Sequence, residues 1–134
     1  MTVLVDTDVF SFLWQDRPEA AIYRPLVADQ IVALSFTSIG ELYFGAVSRG
    51  WGGRRIEELE GAIRPYLILP YNIELSRHWG RLKADTRRQG RPTPDNDLWI
   101  AAAALHYQIP LATNNRRHFE HIDGLVLLPR REES

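Results

Sequence analysis

The sequence predicts an α/β protein of three layers, α/β/α, with a short, mostly parallel central sheet. Three observations carry that expectation. Short apolar runs without polar alternation, such as Val3-Leu4-Val5 and Ile31-Val32-Ala33-Leu34, are those of strands buried on both faces. Between such runs lie longer stretches with apolar residues at three- and four-residue spacing, so strands alternate with helices. A length of 134 residues with no internal repeat suits one domain, 1–134, around one core.

The elements follow in order. Val3-Leu4-Val5 ends abruptly in Asp6-Thr7-Asp8, and Val9 to about Trp14 reads as a helix that Asp8 suits better than Asp6 as a cap. Pro18 interrupts the chain; Glu19 to Gln30 is predicted helical with a disturbance at Pro25. Ile31 to Leu34 is the second strand. Ser38-Ile39-Gly40-Glu41 has the spacing of a capping box, which would place Glu41 at the start of a helix just after a strand end. Gly50-Trp51-Gly52-Gly53 is a loop, and Arg54 to about Arg64 is an amphipathic helix with Ile56, Leu59 and Ile63 on one side. Leu67-Ile68-Leu69 is the third strand. Asn72 can cap a long helix to Gln89, striped by Leu75, Trp79 and Leu82 and closed by Arg87-Arg88-Gln89-Gly90-Arg91. Thr93 can cap the next helix, with Pro94 at its first position and its end near Tyr107. Ile109 to Ala112 is a strand ending in Thr113-Asn114-Asn115-Arg116-Arg117-His118-Phe119, and Val126-Leu127-Leu128 is the last strand before a charged tail.

Composition excludes several classes of function. With 16 Lys and Arg against 17 Asp and Glu, the formal charge is −1, which neither announces nor excludes a nucleic-acid binder, because an acidic site and a basic rim can cancel. There is no cysteine, so disulfides, thiolate nucleophiles and cysteine zinc sites are absent. The strongest apolar run, Leu98 to Leu105, is far too short to span a bilayer, and no basic segment precedes the first apolar residues. A cytoplasmic protein is the expectation.

Asp97 falls in the first turns of its helix, on the side of Ile100, Ala101 and Ala104, where a carboxylate would sit at the lip of the core. The alanine run beside it lets that helix lie close to the layer it covers. Asp6, Glu41, Asp97 and the polar cluster Thr113–Asn115 therefore fall at strand ends and helix starts that can converge. Two carboxylates at ~4 Å repel by ~1 kcal/mol in water and nearer ~4 kcal/mol at an effective dielectric of about 20. A cation resolves that conflict, and few carboxylates with room for water and phosphate suit Mg²⁺ or Mn²⁺.

At these residues the sequence resembles the PIN-domain ribonucleases and, within them, the VapC-type toxins of toxin–antitoxin pairs. The matching stretches are Val3 to Asp8, Ser38 to Leu42, Asn96 to Ala102 and Leu111 to Phe119, in the expected order and over nearly the whole chain. The resemblance implies that Asp6, Glu41 and Asp97 hold a divalent metal that activates water to cut RNA. It also implies a homodimer and a VapB-like antitoxin that occludes the cleft. Family members often carry a fourth acidic residue in the last motif, where this chain offers Asn115 and His118 as stand-ins. One firmly held ion with a preference for Mn²⁺ is then expected, since imidazole is a poor ligand for Mg²⁺. Thr113, Asn115, Arg116, Arg117 and Arg91 are the candidate substrate contacts, with Arg87 and Arg88 behind them. Tyr43, Phe44 and Trp51 are aromatics that could receive a partner.

Three other readings compete. Asp6-Thr7-Asp8 after an apolar strand also opens the haloacid-dehalogenase phosphatase pattern, with Asp6 as nucleophile, but Phe10 stands where that pattern wants threonine and Glu41 gains no role. A PIN fold with a weakened site could be a binding module without metal. A PIN nuclease could process RNA without being a toxin, a distinction that a neighbouring antitoxin gene would decide.

Overall fold

The structure is a computed structural model that describes residues 1–131. Its elements in order are β1 (Thr2–Val5), α1 (Thr7–Trp14), α2 (Ala20–Val27), β2 (Ile31–Ser35), α3 (Phe36–Ser48), α4 (Gly53–Ile63), β3 (Leu67–Leu69), α5 (Ile73–Arg88), α6 (Asp95–Tyr107), β4 (Leu111–Ala112), α7 (Arg116–Phe119) and β5 (Leu127–Leu128). The end of the predicted charged tail, 132–134, lies outside the described residues.

The five strands form one sheet in the order β3-β2-β1-β4-β5, and every neighbouring pair is parallel. Alternation along β1 shows the layers. Val3 and Val5 face a core shared with α1 to α4 (Val9, Phe10, Tyr23, Leu42, Leu59), whereas Leu4 faces a core shared with α5 to α7 (Leu75, Leu82, Leu98, Phe119). Both faces are apolar because both are covered. Ala101, Ala102, Ala103 and Ala104 are all buried, so α6 carries no bulk between itself and its neighbours. The start of α6 is fixed by aromatics: Trp99 stacks on Trp79 of α5 at 5.3 Å and meets Phe36 of α3 edge-on at 5.8 Å.

From β1 the chain steps through β2 to β3 on one side, then returns to β4 and β5 on the other. The crevice at that reversal, beyond the carboxyl ends of β1 and β4, is where open α/β sheets place their sites. Register makes the placement specific. Val5 pairs with Ala112, and the Asp6 N–H donates to the Ala112 carbonyl at 3.2 Å, so the next residues, Asp6 and Thr113, face each other across the crevice.

Several local expectations need correction. Asp6, not Asp8, caps α1: its Oδ1 accepts from the Val9 N–H at 2.9 Å. Ser38 and Glu41 form no capping box, because α3 begins earlier at Phe36 with Ser35 as its cap; Glu41 stands in the second turn and Ser38 is buried. Thr93 does not cap α6 either. Its hydroxyl is drawn to the His118 carbonyl at 2.9 Å, and Pro94 occupies the cap position without a side-chain bond. Helix α2 is shorter than expected at both ends, stopping at Val27 two residues after Pro25, with Asp29 in the left-handed region at φ 61°. Asn72 does cap α5, through the Leu75 N–H.

Candidate active site

Each candidate acid sits on a different element and is held by a different partner. Asp6 is only 4% exposed. Beyond its capping bond, its Oδ2 accepts from the Thr113 hydroxyl at 2.6 Å, and Thr113 Oγ1 in turn accepts from the Asn115 N–H at 3.0 Å. Glu41, on α3, accepts at Oε1 from the Thr7 hydroxyl at 2.8 Å; Thr7 Oγ1 also lies 3.0 Å from Ser38 Oγ. Asp97, on the first turn of α6, has its Oδ2 2.7 Å from His118 Nδ1. Asn115 presents its amide nitrogen to Asp8 Oδ2 at 3.1 Å. Tyr23 closes the floor, its hydroxyl 3.3 Å from the Thr113 carbonyl.

The electrostatics agree with the crowding. Burial pushes the Asp6 carboxyl up to about 6, against the help of Thr113 and the Val9 N–H, and the charges of Asp8 and Asp97 push the same way. Burial also raises Glu41; the charges of Asp97 and Asp8 push it the same way, and the Thr7 hydroxyl pulls it back. Asp97 is raised by burial as well, with His118 pulling it down. In all three carboxylates the charged form is disfavoured, chiefly by burial.

An all-oxygen donor set of this kind suits a hard divalent cation. Among the described residues no three His, Asp or Glu side chains are gathered closely enough to enclose an ion by themselves. Mg²⁺ does not require that, since it keeps several waters and is bound through one or two carboxylates. The two residues expected to stand in for a fourth acid are turned to carboxylates instead: His118 to Asp97 through Nδ1, Asn115 to Asp8 through its NH₂.

The crevice opens into two hollows. On one side, a space of about 480 Å³ is lined by Arg91, Asn114, Asn115, Arg116, Arg117, His118 and His121. Its arginines are unequally committed. Arg91 pairs with Glu120, Arg116 donates to the Pro129 carbonyl at 2.6 Å, and Arg117 has no ion-pair or hydrogen-bond partner among the described residues. Arg88 is paired with Asp85 and Arg87 lies outside this lining, so the turn after α5 contributes only Arg91. On the other side a larger groove runs from Asp8, Glu41 and Asn96 past Arg17 and Arg49.

Sequence reasoning missed Thr7, Asp8 and Asn96 as members of the site. Thr7 and Asp8 directly follow Asp6 on the first turn of α1, and Asn96 directly precedes Asp97. Adjacency to a candidate acid at a helix start was the available signal.

A protein-family model described as "PIN domain" matches residues 3–125, so the chain belongs to the PIN-domain family. Within that class it is similar to VapC proteins. It is 30% identical over 127 residues to "Ribonuclease VapC1" of Haemophilus influenzae, covering 93% of this chain and 95% of the relative. It is 29% identical over 122 residues to "tRNA(fMet)-specific endonuclease VapC" of Shigella flexneri, covering 91% and 92%. The solved structure of VapBC-1 from nontypeable Haemophilus influenzae superposes with a TM-score of 0.83 at 28% identity, covering 95% of this chain and 96% of that one. The haloacid-dehalogenase reading finds no support here: Asp6 is buried and hydrogen-bonded at both oxygens, not presented as a nucleophile.

Proposed function

We propose that the protein is a metal-dependent ribonuclease of the VapC type, acting as the toxin of a toxin–antitoxin pair in the cytoplasm. The observation that supports this reading is that Asp6, Glu41 and Asp97, each with its carboxyl raised by burial, lie around the strand-order reversal of a PIN-family chain, near enough for the charge of Asp97 to act on both Asp6 and Glu41. One domain, 1–134, would then carry the whole activity.

Asp6, Glu41 and Asp97 would hold the ion, Mg²⁺ or Mn²⁺, in part through its bound waters. When bound, a divalent cation supplies an activated water and stabilises charge on the leaving oxygen of a phosphodiester. The chain's own residues do the positioning. Thr113 and the Val9 N–H fix both oxygens of Asp6, Thr7 aims Glu41, and His118 orients Asp97. Arg117 and Arg91, with Asn115 and Arg116 on the same wall, would hold a backbone phosphate without reading sequence. A groove of about 540 Å³, lined by Leu13, Trp14, Val27, Ala62 and Tyr66 with Arg24 among them, would take an amphipathic segment of a VapB-like antitoxin. A homodimer accords with the family resemblance.

Purified protein should cleave a structured RNA in Mg²⁺ or Mn²⁺ and stop with EDTA. A tRNA is the first substrate to test, given the Shigella relative's name. Cleavage that survives chelation removes the metal mechanism. Induced expression should arrest growth, and coexpression with the cognate partner should relieve it. Proven cleavage in vitro with no effect on growth favours an RNA-processing enzyme over a toxin.

A further inference from the structure

The groove on the Glu41 side of the site has a volume of about 670 Å³ and a charge pattern of its own. Asp8 and Glu41 stand at its inner end, and Arg17 and Arg49 line it further out. Arg17 follows α1 and Arg49 caps the end of α3, so two elements separated by the sheet crossover deliver two cations to one wall. Neither side chain makes an ion pair or a side-chain hydrogen bond among the described residues, unlike Arg24, Arg88 and Arg91. Arg49 lies against its own helix. Its guanidinium folds back onto Gly45, where a Cβ would stand 2.7 Å from Nη1. Phe44, 74% exposed on the same helix, adds an aromatic face to the lining.

Uncommitted guanidinium groups beside an exposed ring are what a single nucleic-acid strand requires, charge for the backbone and a platform for a base. We propose that this groove carries the RNA strand on the Glu41 side of the scissile phosphate, with Arg17 and Arg49 on backbone phosphates and Phe44 stacking a base. The acidic centre then lies between two basic tracks, this one and the Arg91–Arg117 hollow, and the strand passes from one to the other. Gly45 is a positioning residue: any side chain there displaces the Arg49 guanidinium. The inference rests on the ribonuclease reading of the site.

The test uses the full chain and 2′-O-methyl RNA oligonucleotides of increasing length, which bind but resist cleavage, with anisotropy as readout over a range of salt. For Arg17→Ala/Arg49→Ala the plot of log affinity against log salt should flatten by about 1.4, from about 0.7 for each lost phosphate contact on a single strand. Affinity should fall at least about fivefold for Phe44→Ala, the low end of what losing one stacked base costs. Gly45→Ala, which keeps every charge and favours the helix, should weaken binding less than the double variant but in the same direction. Arg77→Ala, which removes an arginine paired with Glu74 on α5, is the control and should bind like wild type. On cleavable RNA the groove variants should raise KM and leave kcat near wild type. A double variant with wild-type affinity and salt slope overturns the proposal, as does one that loses only antitoxin binding, which would make the groove a peptide track. Wild type that binds no RNA fails before any substitution is made, and removes the ribonuclease reading together with this inference.

Discussion

Replacing Asp6 by asparagine should separate the two roles of that carboxylate. In the folded protein its carboxyl titrates at about 6 against an ordinary value of 3.8, chiefly because it is buried. A shift of about two units corresponds to about 3 kcal/mol. The folded state binds the proton more tightly than the unfolded chain. Stability is therefore fully present below 3.8, declines as pH rises, and has lost the whole amount above about 6. Asparagine is neutral throughout and keeps an oxygen for the Val9 N–H. It cannot accept from the Thr113 hydroxyl as a carboxylate does, which offsets the gain by about 1–2 kcal/mol. In EDTA, Asp6→Asn should thus be about 1–2 kcal/mol more stable than wild type at pH 8 and no more stable at pH 4. Urea unfolding at both pH values measures the difference, and Glu41 and Asp97, present in both proteins, largely cancel. A difference between the two proteins that stays constant from pH 4 to pH 8 refutes the argument.

The other predictions concern the remaining donors. Asp97→Asn should abolish cleavage; metal at ~100 times its dissociation constant should add about 2.7 kcal/mol to wild type and much less to the variant. Equal metal-induced shifts in melting temperature would show that Asp97 is no ligand. Asn115→Asp sets a second carboxylate against Asp8, so the protein without metal should lose stability and Mg²⁺ should bind more tightly, whereas His118→Ala should reduce activity less than Asp97→Asn does. Calorimetric titration with Mg²⁺ and Mn²⁺ decides; unchanged affinity and stoichiometry in Asn115→Asp exclude that segment from the site. Ser35→Ala should cost about 1 kcal/mol as a lost helix cap. Glu41→Ala should abolish cleavage without a capping penalty, so a loss of stability as large as that of Ser35→Ala would count against the observed start of α3.

What could be read in advance was local. Val3 to Val5 and Ile31 to Leu34 declare buried parallel strands by lacking alternation, and Asp6 inherits its position from the strand before it. The capping errors show where local pattern stops. Ser38 and Glu41 stand three positions apart, but that spacing also occurs along any helical face, and Ser35 at the strand end supplied the cap one turn earlier. Thr93 was claimed by the His118 carbonyl, 25 positions away, which no window around Thr93 contains. The pairing of Asp6 with Thr113 depended on the register of β1 against β4, a property of the assembled sheet. Arg17 and Arg49 carry no motif at all and line one groove only because α1 and α3 share one face of that sheet.

The anchorage of Asp97 limits how such a protein can be kept silent. Its helix is buried through four consecutive alanines and clamped at its start between Phe36 and Trp79, and Asp6 is itself the cap of α1. Loosening either carboxylate means disturbing the interior, so a latent form that frays at the site and reseals on demand is not available to this architecture. Restraint has to be applied from outside, by an occupant that sits over the crevice. The molecule would become active the moment that occupant is removed, with no refolding step to delay it.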